Sequence, residues 1–485
     1  MGPPAELVDR LERAGQGHLL RFYDALSEPS RRHLLVQIAT LDLGALPRLV
    51  AEYVRNKPAF ALPAGVEPAP YYPNDPGSRV RTWDRAKFKS LGEDLLRRGR
   101  IAAFTVAGGQ GSRLGFEGPK GCFPAGAVTG KPLFQVFAEG LLATGRRHGR
   151  AVPWYIMTSP QNHSDTVRFF RERSFFGLSA TNVTFFQQGV MPSLDIRTGR
   201  VLMTSKHELA SNPDGHGGSI RALGVSGAVE AMKRRGVEHV SYFQVDNPIV
   251  RVLDPVFLGL HAGAPDSSGE MSSKMIPKAY AEEKLGVFCS TPDARGGGRR
   301  VEVIEYSDLP MELQRQRLAD GSLRFLAGSI AVHAMSVEFL SRLNTDPSFE
   351  LPYHRAEKKV ACVDAESGDV VEPTEPNAVK LERFVFDALP LCRPPGSIVY
   401  ETERVEEFAP IKNATGVDSV ESSRQIQTER AASWLERAGV KVPRGADGAA
   451  DCVLEVGPLT AMEAEDFSTG VALPKVIERG AKVAV

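Results

Sequence analysis

"IAAFTVAGGQGSRLGFEGPKGCFP", Ile101 to Pro124, sets an apolar run against a turn holding six glycines, one arginine and one lysine. The run Ile101–Ala107 reads as a buried strand. Glycine in the turn permits positive φ and lets a ligand approach the backbone closely. Successive backbone N–H groups in such a loop form an anion-binding nest. Arg113 adds a guanidinium fork for phosphate oxygens and Lys120 a point charge. The stretch therefore reads as a polyphosphate cradle behind a strand. It is not a Walker loop: no G-x-x-x-x-G-K-[ST] is present, and "GAVTGKP" from Gly126 has the wrong spacing and a proline after its lysine. Nor is it a dinucleotide fingerprint, because Leu114 stands where the third glycine of G-x-G-x-x-G belongs.

Outward from this stretch, strand-like and helix-like segments alternate. "PWYIMTS", "VTFFQQG" and "HVSYFQVDN" are short β-rich runs; "LFQVFAEGLLATGRRHG" and "IRALGVSGAVEAMKRRG" have helical spacing. This predicts an α/β fold of βαβ units around a mixed, mostly parallel sheet, with chemistry in the loops at the carboxyl ends of the strands. Residues 1–96 read as a helical N-terminal subdomain. Leu7 and Leu11 lie four apart, Leu34, Leu35, Ile38 and Leu41 make a stripe, and Ser27 or Ser30 caps "SEPSRRHLL". The proline-rich connection Leu62–Ser78 is expected to cross the surface. Residues 97–405 make the catalytic domain. Residues 406–485, turn-rich with weak strand signals in "DCVLEVG" and "GAKVAV", make a small β-rich C-terminal domain.

The 485-residue chain carries 59 Lys+Arg and 59 Asp+Glu, so its net charge is zero. That argues against a dedicated nucleic-acid or acidic-membrane binder. No run of about 18 apolar residues is present, and "MGPPAELVDRLERAGQGHLL" lacks the apolar core of a secretory signal. The five cysteines are scattered and never in C-x-x-C spacing, which predicts reduced thiols in a cytoplasm rather than a disulfide framework or zinc site. Neither nucleic acid nor membrane is expected as a partner, and nothing in the sequence fixes an oligomeric state.

"AGGQGSRLGFEGPKG" resembles the nucleotide-binding signature of the eukaryotic-type UDP-sugar pyrophosphorylases, above all the UDP-N-acetylglucosamine pyrophosphorylases. Further resemblances follow in order: "FFQQGVMPSLD", "NPDGHGGSIRAL", "VDNPIVRVLDPVFLG", "LGVFC", "VIEYSDL", "LAGSIAVH", "YHRAEKKV", "PNAVKLERFVFD" and "EEFAPIKNA", spanning Ala107 to Ala414. The resemblance implies a Rossmann-like, GT-A-like nucleotidyltransferase domain. It also implies a Mg²⁺- or Mn²⁺-dependent reaction in which UTP and a sugar 1-phosphate give a UDP-sugar and pyrophosphate.

Residue by residue, the resemblance gives Arg113 and Lys120 to the triphosphate and makes Lys412, in "FAPIKNA", a late lysine that reaches the phosphates. Asp246, after "HVSYFQV", becomes the metal ligand; read alone, Asp-Asn after a strand is more often a turn former. Ala107, Gly108 and Gly109 would meet UTP. Gln187 offers an amide to the uracil edge, and Gly215 and His216 of "PDGHGG" would let backbone pack on base and ribose. Asn247, Gly286, Glu305, Tyr306, Ser329, Phe384 and Phe386 are implied for the sugar; for the two phenylalanines plain core packing is the other reading. Three positions depart from the N-acetylglucosamine pattern. His216 stands where those enzymes carry asparagine, a Gly-His-Gly form that resembles the UDP-glucose and broad UDP-sugar enzymes. "LAGSI" places Leu326 and Ser329 where "NAGNI" is usual. N-acetylglucosamine 1-phosphate is the favoured acceptor and glucose or galactose 1-phosphate the alternative. A nucleotide-sugar-binding regulator without turnover is the alternative from another class, and the joint presence of Arg113, Lys120, Asp246 and Lys412 speaks against it.

Overall fold

The computed structural model describes residues 2–58, 60–293, 296, 298–469 and 472–485. The chain divides into two compact units of interleaved segments: residues 1–61, 188–219 and 350–385 in the first, and residues 62–187, 220–349 and 386–485 in the second. The expected blocks 1–96, 97–405 and 406–485 do not coincide with these units, for a reason visible in the core of each.

In the first unit, helices α1 (Ala5–Arg13) and α2 (Glu28–Ala39) form where the apolar spacing predicts them. Ser27 is the cap of α2, its hydroxyl accepting from the Ser30 N–H at 3.4 Å. Leu11, Leu34 and Ile38 are fully buried. They share one cluster with Leu194, Val379 and Leu381, which sit on a three-stranded antiparallel sheet of Leu194–Asp195, Ala378–Glu382 and His354–Lys358. Two short helices cannot close a core by themselves; strands from much later in the chain complete it.

The second unit is built on ten strands: β1 Glu67–Pro68, β2 Ile101–Val106, β3 Trp154–Thr158, β4 Val183–Gln187, β5 His239–Gln244, β6 Met271–Pro277, β7 Val287–Pro292, β8 Arg299–Ile304, β9 Ala327–Ser336 and β10 Val399–Glu401. They run in the order β1-β7-β9-β5-β2-β3-β4, with β6 beside β9 and β10 and β8 beside β7. The four runs read from the sequence, β2 to β5, are mutually parallel; β9 lies antiparallel to β5, so the sheet is mixed. β2 and β3 are buried along almost their whole length, which is why they read as continuous apolar runs and not as alternation. The chain moves outward from β2 through β3 to β4, then returns to place β5 on the other side of β2. The loops after β2 and β5 thus flank a topological switch point, where open α/β sheets bind ligands.

Helices α3 (Arg85–Arg97), α4 (Leu133–His148) and α5 (Pro255–Gly263) belong to the same unit. α3 and α5 meet through paired glycines: a Cβ on Gly92 would collide with the Pro255 carbonyl, and one on Gly259 with the Phe88 carbonyl. The predicted helix "IRALGVSGAVEAMKRRG" is broken in two at Gly227, φ 75°. Leu62–Ser78 is more than a surface connection. Tyr72 is buried, its N–H donates to the Val399 carbonyl at 2.8 Å, and Glu401 N–H donates back at 2.9 Å. The C-terminal region carries the expected strand pair, Val453–Glu455 parallel to Lys482–Ala484. Ahead of it stands the 18-residue helix α6 (Val420–Arg437), started by a Ser419–Ser422 capping box, which the sequence reading passed over. Among the described residues no helix is long and apolar enough to cross a membrane.

The glycine contact gives the first prediction. Gly92→Ala and Gly259→Ala should each destabilise the chain by roughly 1–3 kcal/mol through overpacking, read as a lower urea midpoint. An unchanged midpoint would mean the α3–α5 crossing is looser than described.

Candidate active site

β2 ends in the glycine loop, and the loop is tied at several points. Gly111 N–H donates to Gly118 O at 2.9 Å, Phe116 N–H to Gly111 O at 3.2 Å, and Lys120 N–H to Gly109 O at 3.1 Å. Two glycines are required by the protein itself: a Cβ on Gly121 would strike the Phe134 ring, and one on Gly111 would lie 2.7 Å from Phe116 Cδ1. Gly109 differs. It is exposed, and nothing lies within 4 Å of a Cβ placed on it. Its bareness answers no packing need, which suits a ligand approaching from outside. Ala107 and Gly108 are buried below it, and Arg113 is exposed with no ion-pair partner among the described residues.

Asn162, which the sequence reading missed, holds this loop from behind. Its fully buried amide donates to the carbonyls of Ala107 at 2.9 Å and Gly109 at 3.2 Å and accepts from Ser159 N–H at 2.9 Å. The signal available was an asparagine in the turn after a predicted strand, "MTSPQN", at a carboxyl end where chemistry was expected.

Across the switch point, Asp246 follows β5. Lys120 Nζ stands 3.9 Å from its Oδ2, with both side chains mostly buried. The Asp246 carbonyl accepts from Ile411 N–H at 2.8 Å, which brings the segment carrying Lys412 beside it. Asn247 fixes that neighbour: its amide donates to Glu407 O at 2.6 Å and accepts from Ala409 N–H at 3.1 Å. The sequence reading gave Asn247 to the sugar. Through these two bonds it clamps the β5 loop to residues 407–409, and its amide keeps a second N–H and a second oxygen lone pair. Glu407 is anchored in turn by fully buried Lys274, whose Nζ lies 2.6 Å from its Oε1 and 2.7 Å from Asp254 Oδ2. Burial would raise the Asp254 carboxyl, but Lys274 and Arg251 hold it down at about 2.

Asp246, Asn247, Ser329 and Lys412 line one cavity. Ser329 N–H donates to Gly286 O at 2.8 Å, and a Cβ on Gly286 would come 3.1 Å from Glu305 Oε1. Gly286, Glu305 and Ser329 are therefore neighbours. Beside Ser329, Ala331 adopts φ 54° where the β6–β9 register shifts; a non-glycine residue held in this region is strain of the kind found at functional sites. Tyr306 is exposed and Phe386 is buried. Gln187 lies exposed at the carboxyl end of β4.

Gly215, His216 and Phe384 belong to the first unit. The "PDGHGG" turn presses on protein backbone: Gly217 N–H donates to Arg383 O at 2.8 Å, and a Cβ on Gly217 would lie 2.7 Å from Phe384 N. Gly215, at φ 85°, would likewise meet Arg383 N at 2.7 Å. Within the protein, the close approach that these glycines permit is to residues 383–384. His216 stacks on Phe384 with ring centres 5.0 Å apart, and His354 stacks on the same ring at 4.1 Å. Val385 N–H donates to His216 Nδ1 at 3.1 Å, so a neutral His216 carries its proton on Nε2. Asp214 in this turn is buried, and its Oδ1 has no hydrogen-bond partner. Burial pushes its carboxyl up to about 6, against the pull of Arg383.

Charge is concentrated at the switch point. Burial lowers the Lys120 pKa; Lys412 and Arg113 lower it further, while Asp246 and Asp418 oppose them. Three cations against two carboxylates, with Lys120 and Asp246 mostly buried, favour an incoming polyanion. As a metal site, the donor set is spare: among the described residues no group of three His, Cys, Asp or Glu could hold an ion. A single carboxylate fits a Mg²⁺ that takes its remaining ligands from phosphate and water.

This sheet, with its glycine loop and cations at the switch point, defines a nucleotidyltransferase-type α/β protein. Residues 78–438 match the UTP–glucose-1-phosphate uridylyltransferase family, and the chain belongs to it. It is 35% identical over 484 residues to UDP-N-acetylglucosamine diphosphorylase 2 of Arabidopsis thaliana, covering 96% of this chain and 91% of that one. It is 34% identical over 443 residues to the UDP-N-acetylglucosamine pyrophosphorylase of Saccharomyces cerevisiae, covering 89% and 91%. The fold is that of the Trypanosoma brucei uridine diphosphate N-acetylglucosamine pyrophosphorylase crystallised with an inhibitor, at TM-score 0.78, 24% identity and coverage of 100% and 99%.

Two predictions follow from the supporting residues. Asn162→Leu should lower stability by about 1–3 kcal/mol, because two loop carbonyls lose a buried donor; chemical denaturation reads it, and an unchanged midpoint would remove the clamp. For Asp214, the folded pKa lies above the unfolded one, so its contribution is complete below about pH 4 and lost as pH rises through about 6. Asp214→Asn should therefore raise the unfolding free energy near pH 8, by on the order of 3 kcal/mol, with a matching rise in Tm, and change both little near pH 4. Equal shifts at both pH values would contradict the burial of an ionised Asp214.

Proposed function

We propose that the chain is a UTP:N-acetylglucosamine-1-phosphate uridylyltransferase, producing UDP-N-acetylglucosamine and pyrophosphate. The convergence of Lys120, Asp246 and Lys412 at the sheet's switch point carries the reading of the reaction. The likeness to UDP-N-acetylglucosamine enzymes over about nine-tenths of the chain supports the sugar.

In this reaction an oxygen of the sugar 1-phosphate attacks the α-phosphorus of UTP. The new O–P bond forms as the bond to the bridging oxygen breaks, and pyrophosphate leaves with that electron pair. The nucleophile is already ionised near neutral pH, so no general base is required. The protein's work is to hold two polyanions in line and to neutralise charge on the leaving group. Bare Gly109 lets the triphosphate lie against the loop, Arg113 and Lys120 meet its outer phosphates, and Lys412 closes from the facing segment. Mg²⁺, or Mn²⁺, held by Asp246 and phosphate oxygens would supply the remaining charge neutralisation. Gln187 is assigned to the uridine. Asn247, Gly286, Glu305, Tyr306, Ser329 and Phe386 are assigned to the sugar, and Asn247 also positions the Lys412 segment. Five free thiols support a cytoplasmic location.

A second reading keeps the chemistry and changes the acceptor to glucose or galactose 1-phosphate. Ser329 favours it, since a hydroxyl stands where an amide would recognise an N-acetyl group. Pyrophosphate release with UTP and Mg²⁺, run in parallel with the 1-phosphates of N-acetylglucosamine, N-acetylgalactosamine, glucose and galactose, decides between them. The expected result is a clear preference for N-acetylglucosamine 1-phosphate; preference for glucose or galactose would transfer the assignment, and release with none would refute it. Lys120→Ala and Asp246→Ala should lower kcat by about 10²- to 10³-fold in folded protein. Gly109→Ala should leave Tm unchanged and raise KM for UTP about tenfold, since its Cβ meets no protein atom.

A further inference from the structure

Lys412 sits at the start of a short loop that returns on itself at Asp418. The Asp418 carbonyl accepts from both Lys412 N–H, at 2.6 Å, and Asn413 N–H, at 3.0 Å. Its carboxylate Oδ2 lies 3.0 Å from Lys412 Nζ. One residue therefore fixes both ends of the lysine, backbone and ammonium. Asp418 does this in a left-handed conformation, φ 55°, a region that among non-glycine residues aspartate and asparagine adopt most readily. The next residue, Ser419, opens helix α6 with a two-way capping box, so the tether is anchored to a rigid element. Ser423 in the first turn of that helix donates to Ala409 O at 2.6 Å, closing the same segment from the other side. A turn alone would need only the carbonyl contacts. The carboxylate on Nζ holds a four-carbon side chain that otherwise loses much rotamer freedom when it binds phosphate.

We propose that Asp418 is a positioning residue for the nucleotidyl-transfer reaction: it pre-orients the Lys412 ammonium over the cavity shared with Asp246 and Ser329. The inference rests on the proposed uridylyltransferase reading. In the empty site the pair keeps Lys412 from collapsing onto neighbouring carboxylates. When the triphosphate enters, Lys412 meets it from a restricted arc, so the entropy of ordering the side chain is already lost before the transition state. Asp418 touches neither substrate nor reacting atoms; it acts through Lys412.

The test is a double-mutant cycle on kcat and KM in the full chain, with Tm measured for every variant. Asp418→Asn keeps the shape and tolerates the left-handed backbone while removing the charge. It should lower kcat about tenfold or more, with KM for UTP changed less than threefold and Tm within a few degrees of wild type. Asp418→Glu, which restores the charge, should recover a large part of kcat. In a Lys412→Met background Asp418→Asn should have no further effect beyond about twofold, because residues acting through one another are not additive. A wild-type kcat in Asp418→Asn, or the same loss in both backgrounds, would overturn the inference while leaving the reaction standing. If Asp418→Asn loses its fold, Asp418→Glu carries the test: a kcat no better than that of Lys412→Met in a folded protein would equally overturn it. Absence of pyrophosphate release from the wild-type chain would remove the reading of the reaction and the inference together.

Discussion

Everything at the candidate site depends on keeping Lys120 charged in a place that disfavours charge. Its ammonium is mostly buried, lies 3.9 Å from Asp246 Oδ2, and shares its surroundings with Lys412 and Arg113. Desolvation and like charge both push against the cation; only the two nearby carboxylates oppose them. Such a cluster is poorly satisfied by itself and is completed by a ligand with several negative charges. The fold brings it about through the β5–β2–β3–β4 order, which leaves the loops after β2 and β5 facing each other at the switch point.

The Lys412 segment reaches this place through a chain of supports: the Asp246 carbonyl on Ile411, the Asn247 amide on residues 407–409, and the buried Lys274–Glu407–Asp254 group beneath. Buried ion groups of this kind contribute little net stability relative to apolar packing. Their effect is to fix one arrangement of segments far apart in sequence. Asn162 does the same for the glycine loop.

Much of this was legible in the sequence. The continuous apolar runs of β2 and β3 announce buried parallel strands, and the glycine run announces the loop after β2 that carries Arg113 and Lys120. Helix α2 and its Ser27 cap could be read from spacing alone. What was not legible depends on partners distant in the chain. The N-terminal helices looked like a subdomain of their own because Leu194 and Leu381, which complete their core, come much later. The bonds from Asn247 to residues 407–409 were not legible, because no local pattern reveals those partners. The close approach of Gly215 and Gly217 to the backbone at Arg383 and Phe384 was hidden for the same reason. Helix α6 was passed over because its polar residues mask the period, although its Ser-x-x-Ser start was there to be read.

The central claim is that these charges form a trap for a triphosphate rather than for a nucleoside. Calorimetric titration of the wild-type chain with UTP and with uridine, both in Mg²⁺, tests it most directly. UTP should bind at least about a hundredfold more tightly than uridine, a difference of roughly 3 kcal/mol, and Lys120→Met should remove most of that difference. Equal affinities for the two ligands, or a Lys120→Met protein that still prefers UTP by the full factor, would contradict the account.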